Sequence, residues 1–281
     1  MSLSVGVDRA SGAPQDGSVT GTSLVVLAAG LGTRFGGTKQ LVPVRDDGAT
    51  VTDVLLERAA AAGIAGAVIV VRPEIEDGLR ARAHRMEQPG IRVELALQNR
   101  PRGTADAVLA ARKAIDGAFI VVNADDLYPA VAFSLVARHL RDARSTEHAA
   151  VGFRLDRTLV GSRPESRALL TVGRTGTLVG VREGRVEKGS VLRFVTATSV
   201  EPLAGDELVS MNMWGFRPSV FDALTAAVLG AGAKTQSTEI SLPEVVATMI
   251  EQDEAVRVLG CDEPCVGITY PDDVDAVRAL L

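Results

Sequence analysis

From residue 23 to residue 141 the chain alternates short apolar runs, VVLAA and AFIVV among them apolar on both faces, with stretches of helical periodicity. The runs are SLVVLAA, GAVIVV, IRVELAL and AFIVV. Between and after them lie VTDVLLERAAAAG, PEIEDGLRARAHRM, TADAVLAARKAI and VAFSLVARHLRDA, each with apolar residues at helical spacing. Strands that are apolar on both faces must be covered by helices on both sides. Strand, helix and strand in this order imply right-handed crossovers onto a mainly parallel sheet. The expected fold is therefore α/β: a three-layer, Rossmann-like mixed sheet. After about residue 149 the runs AAVGFRL, ALLTVG, TLVGVRE and RFVTATS are shorter and more alternating, which suggests antiparallel strands in a small lobe. MNMWGF reads as a further strand, PSVFDALTAAVLG and SLPEVVATMIEQ as helices around a Gly/Ser/Thr loop at 230–238, and PDDVDAVRALL as a short terminal helix.

Residues 1–22 carry few large apolar groups and read as a disordered tail, so the folded domain is expected to span 23–281. With 46% hydrophobic and 23% charged residues, the composition is that of an ordinary globular protein. The net charge of −5 provides no basic field for nucleic acid, so a polyanionic ligand must be held by local cations and backbone N–H groups. No signal peptide is apparent, and no apolar run approaches the ~20 residues of a membrane helix. The two cysteines, Cys261 and Cys265, lack metal-site spacing and read as packing thiols in a reducing, cytoplasmic setting. His84, His139 and His148 sit without clustered partners and read as structural or solvated.

The first apolar run ends in LAAGLGTRFGGTKQL, residues 27–41. In open α/β sheets ligands sit at the carboxyl ends of strands, and glycines there let backbone N–H groups approach phosphate oxygens. Arg34 adds a planar fork of donors and Lys39 a mobile point charge, together suited to a triphosphate. Gly30, Gly32 and Gly36 do not give the G-x-G-x-x-G spacing of dinucleotide folds, and Lys39 is followed by Gln40 rather than Ser or Thr, so the Walker pattern also fails.

This segment resembles the signature of the sugar-phosphate nucleotidyltransferases, GT-A-like enzymes that join a nucleoside triphosphate to a phosphorylated acceptor and release pyrophosphate. The resemblance implies that Leu27, Ala28, Ala29, Gly30 and Gly32 wrap the nucleotide, with Arg34 and Lys39 as the catalytic cations. LQNRPRGTADAV resembles the family's base-reading segment. Gln98 presents donor and acceptor to a pyrimidine, Gly103 admits the base to its N–H, and Thr104 caps the following helix. Asp106 stands where many relatives carry His. FIVVNADDLYP resembles the family's metal-binding strand end, which implies Asp125 as the Mg²⁺ ligand and Asp126 as its neighbour.

Further along, Glu183 and Asn212, the latter read on a strand, resemble acceptor-binding positions. CVGITYPDDVDAV resembles the closing motif, but Cys265 replaces the common Trp and Gly267 stands where some members place a metal-binding Asp. Asp272 and Asp273 read as favouring the terminal helix start. The implied function is transfer of a nucleoside monophosphate, from UTP, dTTP or CTP, to a sugar 1-phosphate or similar small phosphate. Two alternatives stand beside it. One is a CTP-dependent cytidylyltransferase acting on another phosphorylated alcohol; the other is a nucleotide-binding regulatory protein without turnover. The partners expected are these two small molecules, with no nucleic acid and no membrane. Oligomeric state is open.

Overall fold

The computed structural model describes residues 21–86, 90–100, 102–142, 144–232 and 239–281. Residues 1–20 of the expected tail and 233–238 of the expected loop lie outside the described residues, whereas Thr22 is buried just before the first strand. In chain order the elements begin with β1 Ser23–Leu27, α1 Val51–Ala61, β2 Gly66–Val71, α2 Pro73–Met86, β3 Arg92–Leu97 and α3 Thr104–Ala110. Next come β4 Phe119–Asn123, β5 Asp126–Leu127, α4 Ala130–Arg141, β6 His148–Arg154, β7 Glu165–Val172, β8 Leu178–Glu187, β9 Leu192–Val195 and β10 Val200–Leu203. The chain closes with β11 Leu208–Ser210, β12 Trp214–Phe216, α5 Val220–Gly232, α6 Leu242–Glu251, β13 Val256–Cys261, β14 Val266–Gly267 and α7 Asp273–Arg278.

The main sheet has the order β3-β2-β1-β4-β12-β6-β11-β7-β8-β9-β10, with β13 pairing β6 in parallel. Strands β3, β2, β1 and β4 are parallel neighbours, as the alternation of runs and helices predicts. The antiparallel strands β7 to β10 are not a separate layer; they prolong the same sheet. A small second sheet pairs β14 with β5.

The two-sided apolar runs have a direct packing consequence. Along β1, Leu24 and Val26 join one core with Val54, Leu55, Phe133 and Val136, whereas Val25 and Leu27 join the other with Val108, Leu224 and Val245. Residues of α1, α2 and α4 thus cover one face, and residues of α3, α5 and α6 the other. Each fully buried side chain of this size is worth about 1.5–3 kcal/mol. Helix α1 starts at a buried capping box in which the Thr50 hydroxyl accepts from the Asp53 N–H and the Asp53 carboxylate accepts from the Thr50 N–H; Ser241 and Glu244 repeat the arrangement at α6.

The sheet places the site. The chain leaves β1 towards β2 on one side, and β4 lies on the other, so the strand order reverses between β1 and β4. A crevice at the carboxyl ends of such strands is where open α/β sheets bind ligands. The loop after β1, Gln98 after β3 and Asp125 after β4 all converge there. Among the described residues no helix is long and apolar enough to cross a membrane.

Candidate active site

The glycine-rich turn is held from behind. Buried Gln40 donates through Nε2 to the Ala28 carbonyl at 3.0 Å and to the Gly30 carbonyl at 3.4 Å. Arg72, which ends the second apolar run, donates to the Gly30 carbonyl and to that of Ala29 at 3.5 Å. Gly32 adopts φ 61° and its carbonyl accepts from the N–H groups of Phe35 (3.0 Å) and Gly36 (3.3 Å), which closes the turn. A cavity of about 390 Å³ opens in front of it. Leu27, Ala29, Gly30, Gly32, Arg34, Lys39, Gln98, Gly103, Thr104 and Asp125 line this cavity, while Ala28 lies behind it, fully buried. Arg34 is exposed and has no ion-pair partner among the described residues. Its charge is available to an anion.

Lys39 makes an ion pair with Asp125 and donates to the Ile268 carbonyl at 3.3 Å. The Ile268 N–H in turn donates to the Asp125 carbonyl at 2.8 Å. The closing segment therefore holds both charged residues from the far end of the chain, a link that local sequence does not announce. Asp126 is different. It is buried, its carboxylate accepts from Asn123 Nδ2 at 2.8 Å and from the Tyr128 hydroxyl at 3.3 Å, and burial followed by the charge of Asp125 pushes its pKa up to about 7. Gly267 faces it across the β5–β14 pair, and a Cβ at Gly267 would lie 2.0 Å from Asp126 Oδ1. The carboxylate of residue 126 thus fills the space that a side chain at 267 would take. Cys265 is fully buried in the core and Cys261 is buried and unpaired, as packing thiols should be.

A second cavity, of about 700 Å³, lies beyond Asp125 under β7, β8 and β9. Its wall includes Ser166, Arg167, Glu183, Arg185, Thr196 and Asn212. Arg167 is fully engaged by Glu165, the Thr158 hydroxyl (3.0 Å) and backbone carbonyls, so it shapes the wall. Glu183 accepts from the Ser241 hydroxyl, and partial burial raises its pKa against that bond. Asn212 is not on a strand. It occupies the break between β11 and β12 with φ 58°, a left-handed conformation that Asn tolerates better than most residues. Its Oδ1 accepts from Trp214 Nε1 at 3.1 Å and its N–H donates to Ser210 Oγ at 3.0 Å, so sheet pairing gives way there to side-chain bonds. The two cavities share Asn123, Asp125, Asn212 and Thr269.

Thr104 also departs from expectation. Gly103 is the N-cap of α3, and the Thr104 hydroxyl accepts from the Leu242 N–H at 2.8 Å. It ties α3 to the start of α6. Asp273 accepts from the N–H groups of Thr269 (2.8 Å) and Tyr270 (2.7 Å), and Asp272 pairs with Arg163 at 2.7 Å. His139 bonds the Glu147 carbonyl and His148 is buried against Arg217, both structural; the His84 side chain lies outside the described residues. The residues that the sequence reading passed over are Gln40, Arg72, Asn123 and Thr269. A cation immediately after a buried strand was the available signal for Arg72; the others are marked only by their position in space.

A strand-order reversal, a turn of glycines with an exposed cation, and an acid at the end of the neighbouring strand make an open α/β fold with a crevice at the strand ends. Residues 23–158 match the family model described as nucleotidyl transferase. Over 161 residues the chain is 34% identical to the bifunctional protein GlmU of Agrobacterium fabrum and 32% identical to that of Rhizobium johnstonii. In each case the match covers 57% of this chain but 33% of the relative, so the likeness spans about a third of those proteins' length. Among solved structures, the inositol-1-phosphate CTP transferase of T. maritima superposes with a TM-score of 0.67 at 14% identity, covering 92% of this chain and 96% of the other. A Bacillus anthracis structure described as a putative glucose-1-phosphate thymidylyltransferase gives 0.67 at 12% identity, covering 92% and 94%. At these identities the structural likeness carries the fold.

Proposed function

We propose that the protein transfers a nucleoside monophosphate from a pyrimidine triphosphate to a small phosphorylated acceptor, a sugar 1-phosphate or similar ester, and releases pyrophosphate. The observation that carries this reading is the meeting of the two cavities at Asp125. One has the glycine turn and Arg34; the other is lined by polar groups that suit hydroxyls. An oxygen of the acceptor phosphate bonds to the α-phosphorus, and the bond from that phosphorus to the bridging oxygen of the β-phosphate breaks. The acceptor is already largely dianionic at neutral pH, with its second pKa near ~6, so no general base is needed. The barrier is repulsion between anions, which fixed cations and N–H groups offset.

Each residue then has a role. Arg34 holds the departing pyrophosphate, Lys39 steadies the acceptor phosphate or the α-phosphate, and the carbonyl clamps at Gln40 and Arg72 hold the turn in shape. Leu27, Ala29, Gly30 and Gly32 form the nucleotide wall, backed by Ala28. Thr104 holds the base side together, and Glu183 and Asn212 face the acceptor. Family members use a divalent metal. The donors here fit a hard cation shared between Asp125 and phosphate oxygens, since Mg²⁺ is commonly held by one or two carboxylates plus substrate. They do not fit a self-contained centre, as no group of three or more His, Cys, Asp or Glu converges among the described residues. When bound, Mg²⁺ would neutralise charge on the reacting phosphates. Two unpaired, buried cysteines agree with a cytoplasmic setting.

The test is pyrophosphate release from a panel of CTP, UTP, dTTP, ATP and GTP against sugar 1-phosphates and other phosphate monoesters. Turnover with one pair supports the proposal. Triphosphate binding without pyrophosphate release would point to a nucleotide-sensing role instead, and no binding at all would refute both.

A further inference from the structure

We propose that Ser241 is a positioning residue for the acceptor: its hydroxyl anchors the Glu183 carboxylate on the wall of the larger cavity, ready for the hydroxyl groups of a sugar phosphate. The inference rests on the acceptor reading of that cavity and names the residue that orders its recognising carboxylate.

Sheet register places Glu183. Val181, Glu183 and Arg185 alternate along β8 and share one face with their partners on β7, which are Leu170, Ala168 and Ser166; Ala168 in turn pairs with Ser210 of β11. At one end of this face Leu170 and Val181 pack with Leu242 and Val245 of α6. At the other end Ser166, Glu183, Arg185 and Ser210 line the larger cavity. Glu183 therefore stands where the cover of α6 stops and the open floor begins, beside the N-cap of that helix.

The capping geometry decides which way the Ser241 hydroxyl points. Its oxygen accepts the Glu244 N–H at 3.2 Å, so its single proton is free to donate elsewhere, and it donates to Glu183 Oε2. Among the described residues no other group bonds the Glu183 carboxylate, so Oε1 is left to accept from a ligand. A glutamate without this tie samples several rotamers and must be ordered when a ligand binds. Ser241 orders it in the free protein.

The same three residues reach the other cavity. The Ile240 N–H donates to the Arg102 carbonyl at 2.9 Å, the Ile240 carbonyl accepts from the Ala105 N–H at 3.1 Å, and the Leu242 N–H donates to the Thr104 hydroxyl at 2.8 Å. Gly103 and Thr104 line the nucleotide cavity, and Pro243 lines the acceptor cavity. Residues 240–242 thus register Glu183 against the base-side wall. Ser241 lines neither cavity and acts on a ligand only through Glu183.

The experiment compares wild type with Ser241→Ala, Ser241→Thr and Glu244→Ala. The probe is the sugar 1-phosphate that gives the fastest pyrophosphate release, measured by KM, kcat and calorimetric Kd. Ser241→Ala is expected to raise the acceptor KM and Kd about three- to tenfold, the worth of ordering one long side chain, with kcat and the triphosphate Kd within about twofold of wild type. Ser241→Thr keeps a capping hydroxyl and is expected to restore the acceptor constants. Glu244→Ala loosens the same helix start without removing the Ser241 hydroxyl; it should lower Tm yet leave the acceptor constants within about twofold. Methyl phosphate has no ring hydroxyls, so its inhibition constant should be the same in Ser241→Ala and wild type. In a Glu183→Ala background the Ser241→Ala change should matter less than about twofold. Unchanged acceptor constants in Ser241→Ala overturn the proposal. So does an equal loss in Glu244→Ala, an equal loss for methyl phosphate, or full additivity with Glu183→Ala, since each is what a merely structural role would give. If wild type binds triphosphate but turns over no sugar 1-phosphate, the acceptor reading itself falls and this inference with it, an outcome seen before any variant is made.

Discussion

Replacement of Gly103 by alanine tests whether the base-side wall is built as described. Gly103 has φ 94° and ψ −179°, a region essentially restricted to glycine, where an L side chain is strained by about 1–3 kcal/mol. A Cβ there would lie 2.3 Å from the Ile240 carbonyl oxygen, 2.5 Å from its nitrogen and 2.8 Å from its carbonyl carbon. Backbone cannot rotate away as a side chain can, so the segment at Ile240 must move. That segment is held by the Ile240 N–H to the Arg102 carbonyl at 2.9 Å and by the Ala105 N–H to the Ile240 carbonyl at 3.1 Å. Two such bonds are worth about 1 kcal/mol each. The sum is about 3–5 kcal/mol, which for a chain of this size corresponds to a fall in Tm of roughly 5–9 °C. Gly30→Ala is the matched control: Gly30 is outside the positive-φ set and a Cβ there meets nothing within 4 Å. It should change stability by less than about 0.5 kcal/mol. Its methyl group nevertheless enters the cavity, so triphosphate affinity should drop about tenfold. Calorimetric melting and urea titration give the first quantity, and isothermal titration the second. A Gly103→Ala protein that melts within 1–2 °C, roughly, of wild type would refute the account of this wall.

Lys39→Ala and Asp125→Ala should each lower turnover about a hundredfold or more, measured as pyrophosphate release, while melting close to wild type. Chelation of divalent cations should abolish the same signal, with Mg²⁺ restoring it in wild type but poorly in Asp125→Ala. Arg72→Gln should raise KM for the triphosphate about tenfold with a smaller change in kcat, because it loosens the turn without touching the reacting atoms. His148 is buried, its Nδ1 accepts from the Arg217 N–H at 3.1 Å, and burial, reinforced by the Arg217 charge, brings its pKa down to about 4. A depressed histidine favours the neutral form, so its stabilisation is complete above the unfolded value of about 6.5 and is lost as pH falls towards 4. Relative to His148→Leu, wild type should lose about 3 kcal/mol over that interval in urea titrations; a pH-independent difference would show that the ring is charged or solvated in the fold.

The α/β class and the first half of the site are properties of the sequence alone. Runs apolar on both faces call for a covered sheet, and glycines with cations at the end of the first run are what led the sequence reading to expect a phosphate ligand there. Those signals are local: each lies within one element and the turn after it. The pairing of Lys39 with Asp125 through Ile268, the carboxylate of Asp126 filling the space before Gly267, and the engagement of Thr104 by Leu242 join residues 86 or more positions apart. The conformation of Asn212, likewise, follows from a break between two strands that pair with different neighbours. The hydrophobic pattern specifies which faces are buried and therefore which elements form. Which polar side chains share a cavity is decided only when the sheet brings distant strand ends together, because a hydrogen bond depends on angles and tenths of an ångström that no periodicity in the chain records.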